Sequence, residues 1–332
     1  MSDSKQVLKL GTRTSQLAVE QTQIIINLLK AKFPELETKI VARTTLADNV
    51  QSRALYAFGG KPVWTAELEE LLLADAEDPE LERIDMVVHS LKDLPTAMAE
   101  PFRLAAMVNR ADPRDVLLVR PGLPYKSLAE LPAGSVVGTS SVRRTAQLLR
   151  RYPQLEFKVV RGNINTRIAK LSDESLGYTA IVLAAAGLLR IGLEEHITQY
   201  LGPEDMMYAV GQGALGVEIR ADDARAQALL DAIAEPAVQL ECTAERALMR
   251  ELEGGCSVPL GVHTTWTTPT TLTVAAAVVA TDGDAAAEAS ESATVTSVAD
   301  AEALGVRLAA ALRANGAGPI LAKISYDKLA AA

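Results

Sequence analysis

Aromatic side chains make up only 4% of this 332-residue chain, so its cores must be built mainly from Leu, Val, Ile and Ala. Cysteine is scarcer still. Cys242 and Cys256 stand alone, without a C-x-x-C or any paired metal-ligand spacing, which argues against a disulfide framework and against a bound metal. No apolar run is long enough to span a bilayer; the longest lies near Ala180 to Leu189. The start, MSDSKQVLKLGTR, lacks a basic segment followed by an apolar core, so no secretory signal is expected. An excess of positive charge is missing too. The net charge of −9 argues against a broad nucleic-acid surface. These absences predict a cytoplasmic chain in a reducing compartment, bound to neither membrane nor nucleic acid, and nothing demands more than a monomer.

What is present is globular: 48% of residues are apolar and 23% charged, over a length that suits two or three domains. Short β-rich runs alternate with helical patterns through the first two-thirds, which predicts α/β architecture. Strands are expected at Gln6–Gly11, Ile84–His89, Ser135–Gly138, Phe157–Val160 and Thr179–Ala184. Helices are expected at Ser15–Lys32, Val142–Tyr152 and from about Asn165. The proline-bearing stretch Pro121–Pro132 reads as a surface connection. Asp223–Arg250 reads as mostly helical, followed by a Gly254-Gly255-Cys256 loop, a strand-rich segment and a closing helix at Ala301–Ala314.

Chemistry-bearing residues gather where strands give way to helices. Arg13 and Ser15 sit at one such junction, and Thr139, Ser140 and Ser141 with Arg143 and Arg144 at another. Arg161, Arg167 and Arg190 lie at equivalent turns downstream. Free N–H groups and the helix dipole make such junctions anion sites, and arginine grips carboxylates through two nitrogens. Each arginine taken singly reads equally as a solvated surface charge. Because strand C-terminal ends of an open α/β sheet face one crevice, the whole set points to a polyanionic ligand.

Two further features stand out. His89-Ser90-Leu91-Lys92-Asp93 follows an apolar strand directly. Lys92 and Asp93 form either a surface pair capping the turn or a carboxylate placed to stabilise a developing cation. His89 reads as a packed or hydrogen-bonded core histidine. Cys256, in Leu252-Glu253-Gly254-Gly255-Cys256-Ser257-Val258-Pro259, occupies a constrained loop that can present a thiol, whereas Cys242 fits an inert helical site. With no histidine partner nearby, Cys256 is either inert or a permanent attachment point.

Taken in order, several blocks resemble the porphobilinogen deaminase family, most closely its fungal members. They are Gly11-Thr12-Arg13 with Ser15-Gln16-Leu17-Ala18, His89 to Pro95, Val137 to Arg144, Arg161-Gly162-Asn163, Asn165-Thr166-Arg167, Ala209 to Ala214 and Leu252 to Pro259. The fungal likeness lies in Leu55 to Lys61 with Trp64. The resemblance implies two periplasmic-binding-protein-like (type II) lobes around a cleft and a smaller α+β C-terminal domain. The expected division is 1–110 with a return segment 211–230, then 111–210, then 231–332.

The resemblance also implies an activity: head-to-tail condensation of four porphobilinogen molecules with loss of ammonia, on a dipyrromethane primer held by Cys256 through a thioether, then release of hydroxymethylbilane. Each pyrrole carries an acetate and a propionate. The resemblance therefore assigns Arg13, Ser15, Lys92, Ser140, Ser141, Arg143, Arg144, Arg161, Arg167 and Arg190 to carboxylates. It assigns Asp93, helped by Lys92 and Arg13, to the reacting pyrrole nitrogens, and Gln21 and Lys61 to substrate. Ala47 and Ala66 stand where the family usually has glycine and lysine. The competing expectation is a non-catalytic carboxylate-binding protein on the same two-lobed scaffold, which would have no use for Cys256 and Asp93 in these settings.

Overall fold

The structure is a computed structural model and describes residues 7–45, 65–75, 82–252 and 258–323. These residues form two compact units. The first takes the chain up to Arg110 and the stretch Ala214–Gln239; the second takes Ala111–Gly213 and everything from Leu240 onward.

In the first unit, β1 (Leu8–Arg13) leads into α1 (Gln16–Lys32). Ser15 caps the start of α1, lysines occupy its last turn, and the helix stops at Phe33, ahead of Pro34. Its buried residues Ala18, Gln21, Thr22, Ile25, Ile26 and Leu29 recur at helical spacing and face the sheet. The sheet adds β2 (Thr38–Arg43), β3 (Met86–Ser90), β4 (Phe102–Val108) and β10 (Leu215–Arg220), and α2 (Ala66–Leu73) and α6 (Ala224–Asp231) cover it. Its order is β2-β1-β3-β10-β4. β1 runs parallel to β2 and β3, whereas β10 runs antiparallel to β3 and β4. Met86 and Val88 pack into the core with α1, while Val87 packs with Leu68 and Leu71 of α2. A strand buried on both faces has no place for a polar alternation, which is why this one reads as uniformly apolar.

The second unit contains a sheet of the same design. Its strands are β5 (Asp115–Val119), β6 (Val136–Gly138), β7 (Glu156–Lys158), β8 (Ala180–Ala184) and β9 (Gln199–Leu201), in the order β7-β6-β8-β5-β9. β6 is parallel to β7 and β8, and β5 is antiparallel to β8 and β9. Three helices follow strands: α3 (Val142–Arg151), α4 (Ile164–Ser172) and α5 (Ala185–Arg190). In each sheet the antiparallel member is the first strand after the chain crosses from the other unit, β5 from Ala111 and β10 on the return at Ala214. The two sheets thus share one strand order, as two like lobes would.

The smaller α+β part of the second unit is an antiparallel meander, β11 (Leu260–Trp266), β12 (Thr271–Val279) and β13 (Ala286–Thr294). Against it pack α7 (Pro236–Glu251) and α8 (Val298–Leu312). Alternate residues Leu272, Val274, Ala276 and Val278 of β12 point into the core with Leu248 and Leu304. At Gly305 a Cβ would lie 2.3 Å from the Ala244 carbonyl, so the glycine is what lets the two helices meet.

Several boundaries differ from the expectation for physical reasons. β1 extends to Arg13 because it pairs with β2 through Arg13 and Arg43. The long helical stretch is two helices, the second opening on Pro236, whose missing N–H suits a first helical position. The closing helix begins at Val298, where Ser297 and Asp300 form a reciprocal capping box.

Gly213 has φ +90°, and a Cβ there would sit 2.3 Å from the Ala111 carbonyl. Gly122 has φ +88° with nothing within 4 Å. Gly213→Ala should therefore cost about 2 kcal/mol or more and lower Tm by several degrees, and Gly122→Ala about half as much. Thermal unfolding of both variants reads the difference; equal shifts would remove the role given to the Gly213 contact.

Candidate active site

The C-terminal end of β1 delivers Arg13, and Ser15 follows as the cap of α1, its hydroxyl accepting from the Ala18 N–H at 3.4 Å. Farther along α1, the buried Gln21 side chain donates to Ser90 Oγ at 2.9 Å, tying the helix to the end of β3. There the chain turns through a single 3-10 turn, Leu91–Asp93. The Leu91 N–H donates to the Ala214 carbonyl at 3.0 Å. Leu91 and Leu94 are buried, and both rest over Gly216 of β10, where a Cβ would lie 3.1 and 2.9 Å from them. Lys92 and Asp93 are thus held half-buried between two anchored leucines. The Asp93 carboxylate makes no hydrogen bond or ion pair among the described residues. His89 belongs to the core: its Nε2 lies 2.9 Å from Glu218 Oε2, and both side chains are buried.

In the second unit, the turns that follow the parallel strands carry most of the other expected residues. Thr139, Ser140 and Ser141 follow β6. Thr139 Oγ1 accepts from the Ser141 N–H at 3.2 Å, and Ser141 caps α3 by accepting from the Arg144 N–H at 3.4 Å. After β7 come Arg161 and Gly162, and Asn163 caps α4. Gly162, at φ +116°, leaves no room for a Cβ beside Thr166, and Arg167 Nε donates to its carbonyl at 2.7 Å. Arg190, at the end of α5, donates from Nη2 to the Gly213 carbonyl at 2.8 Å, and burial lowers its guanidinium to about 10. Burial also lowers Arg161.

Arg143 and Arg144 are not surface charges. Both are buried against Asp115, a fully buried carboxylate at the start of β5. Asp115 Oδ2 accepts from Arg143 Nη1 at 2.8 Å. Asp115 Oδ1 accepts from Arg144 Nε at 3.0 Å, Arg144 Nη2 at 2.8 Å and Gln212 Nε2 at 2.9 Å. Arg144 Nη1 donates to the Val182 carbonyl at 2.8 Å, so all three of its nitrogens are engaged with the protein. Burial alone would raise the Asp115 carboxyl; the two guanidiniums outweigh it and hold the group well below the usual carboxylate range. Reading the sequence did not single out Asp115 or Gln212 as members of this cluster. The available signal was an acidic residue opening the apolar run Val116-Leu117-Leu118-Val119. Lys61, Cys256 and Ala47 lie outside the described residues; Ala66 is the first residue of α2.

Two like α/β lobes each carry hydroxyls and cationic side chains at the ends of their parallel strands. The chain belongs to the porphobilinogen deaminase family. Residues 8–228 match the family's dipyrromethane cofactor binding domain and residues 239–314 its C-terminal domain. A porphobilinogen deaminase of Kluyveromyces lactis is 48% identical over 98% of this chain and 99% of its own length. One from Eremothecium gossypii is 50% identical over 96% and 97%, and one from Saccharomyces cerevisiae 46% over 98% and 99%. The chain is accordingly a transferase of the hydroxymethylbilane synthase type, with a dipyrromethane cofactor and porphobilinogen as substrate. No helix among the described residues is long and apolar enough to cross a membrane.

Because folding lowers the Asp115 pKa from its ordinary 3.8, the unfolded chain takes up the proton first. The stabilisation is complete above the ordinary value and is lost as pH falls below it. Urea unfolding from pH 7 to pH 3 should therefore show a loss of stability in acid that is shallower in Asp115→Asn. Parallel curves for the two proteins would contradict the assignment.

Proposed function

We propose that Cys256 anchors the dipyrromethane and that Asp93 carries the chemistry of each condensation. The half-buried, uncommitted Asp93 carboxylate on its pinned turn is the observation that supports this most directly. The side chains present fit a group bearing several carboxylates. Arg161 Nη1 is buried with no hydrogen-bond partner among the described residues, and Arg143 hydrogen-bonds only through Nη1, leaving its Nε–Nη2 edge unused. When bound, the dipyrromethane would supply the free pyrrole α-carbon to which the first unit is joined.

The chain's own residues do the rest. Positive charge develops on the pyrrole nitrogen of porphobilinogen as ammonia departs, and Asp93 accepts that N–H and stabilises the charge. Lys92 and Arg13 flank it. Ser15, Ser140, Ser141, Arg143, Arg161, Arg167 and Arg190 take up acetate and propionate groups, with Lys92 and Arg13 contributing. Arg144 acts on that set through Asp115, a change from its expected place at a ligand carboxylate. Gln21 orients the substrate side through Ser90, and Lys61 is assigned to substrate. The reading keeps the three-domain division 1–110 with 211–230, 111–210 and 231–332, and a monomeric cytoplasmic enzyme without a metal. A non-catalytic carboxylate binder would need neither Asp93 nor a thiol anchor.

The test is the intact mass of the denatured protein before and after incubation with porphobilinogen. The parent should carry a two-pyrrole adduct and Cys256→Ser none; an adduct on both would move the attachment elsewhere, and none on either would remove the primer mechanism. Asp93→Asn should fold and load yet lose turnover by about 10²-fold or more. Near-normal kcat in that variant would sink the role given to Asp93.

A further inference from the structure

Arginine binds a carboxylate best through two neighbouring nitrogens that share its plane, and the value of such a fork depends on what fixes its orientation. In the second unit, Arg143 and Arg144 are consecutive residues in the first turn of α3, both buried and both bound to Asp115. They are bound differently. Arg144 spends Nε and Nη2 on Asp115 Oδ1 and Nη1 on the Val182 carbonyl. Arg143 spends a single nitrogen, Nη1, which donates to Asp115 Oδ2 at 2.8 Å and to the Met207 carbonyl at 2.6 Å. Its Nε and Nη2 make no hydrogen bond among the described residues, and these two atoms form one edge of the fork. Two guanidiniums against one carboxylate leave a surplus positive charge in a buried setting, at the positive end of a helix. Such a charge is costly unless an anion arrives to meet it.

We infer that Asp115 is a positioning residue, which grips Arg143 by Nη1 so that its Nε–Nη2 edge is presented to a pyrrole carboxylate, with Arg144 and Gln212 fixing Asp115 in turn. The inference rests on the proposed reading of these strand ends as a pyrrole-carboxylate site. The carboxylate is doubly braced: Gln212 Nε2 donates to Asp115 Oδ1 and also to the Pro113 carbonyl at 2.7 Å. A rigid brace beneath the fork costs the ligand no ordering of the side chain when it binds. Arg143 and Arg144, adjacent and identical in type, therefore act at different levels, one on the ligand and one on the protein.

The experiment uses the full chain, with Arg143→Lys and Asp115→Asn compared with the parent. Thermal unfolding, KM and kcat for porphobilinogen, and the rate at which apo-protein gains the two-pyrrole adduct by intact mass are measured for each. Arg143→Lys should keep Tm within a few degrees and lose at least tenfold in adduct uptake. Asp115→Asn, assayed well below its own Tm, should raise KM at least tenfold with kcat changed less than threefold, and should slow adduct uptake at least tenfold. A purely structural carboxylate would lower Tm but leave KM and uptake of the folded protein within twofold of the parent, and that result overturns the inference. Should Asp115→Asn not be recovered folded, Gln212→Leu takes its place: a rise in KM of threefold or more supports the brace, and an unchanged KM overturns it. A parent that takes up no adduct would instead overturn the functional reading, and this inference with it.

Discussion

A carboxylate sealed from water is expensive to keep charged, and Asp115 is kept so only because two guanidiniums and a carboxamide close around it. That requirement reaches into most of the second unit's sheet. It fixes the start of β5, holds the first turn of α3 down on the sheet, takes a carbonyl from the middle of β8 through Arg144, and fastens the segment around Gln212 just before the chain leaves the unit. The hydroxyls of Ser140 and Ser141 are placed by the same helix start. The arrangement at the start of α3 thus follows from satisfying one buried charge.

The first unit seats its strand-end turn in another way. Its Lys92–Asp93 turn is seated by apolar contacts, Leu91 and Leu94 over Gly216, and by the Gln21–Ser90 hydrogen bonds. The two turns are thus supported in different ways. The Asp93 oxygens make no hydrogen bond or ion pair among the described residues, and the leucines on either side hold the turn. The Arg143 and Arg144 guanidiniums are instead gripped directly by Asp115.

Much of this was legible in the chain itself. Strand and helix positions followed from apolar runs and helical periodicity, and in the structure Ser15, Ser141 and Asn163 cap the three helices expected there. The shifts of a few residues arose where lateral pairing, as between Arg13 and Arg43, lengthened a strand beyond its apolar stretch. What sequence could not separate was Arg143 from Arg144. The two are neighbours of one type at one helix start, and only the position of Asp115, 28 and 29 residues away, distinguishes them. His89 was assigned correctly to the core, but its partner Glu218, 129 residues distant, was not visible.

The sequence by itself determined which residues stand at strand-to-helix junctions, because periodicity, caps and glycines are local properties of the backbone. It also determined the family, through whole blocks of residues in order. Tertiary structure alone decided which of those side chains are spent on the protein and which keep donors or acceptors to offer. That choice depends on burial and on partners remote in the chain, since the cost of an unpaired buried charge is set by everything packed around it.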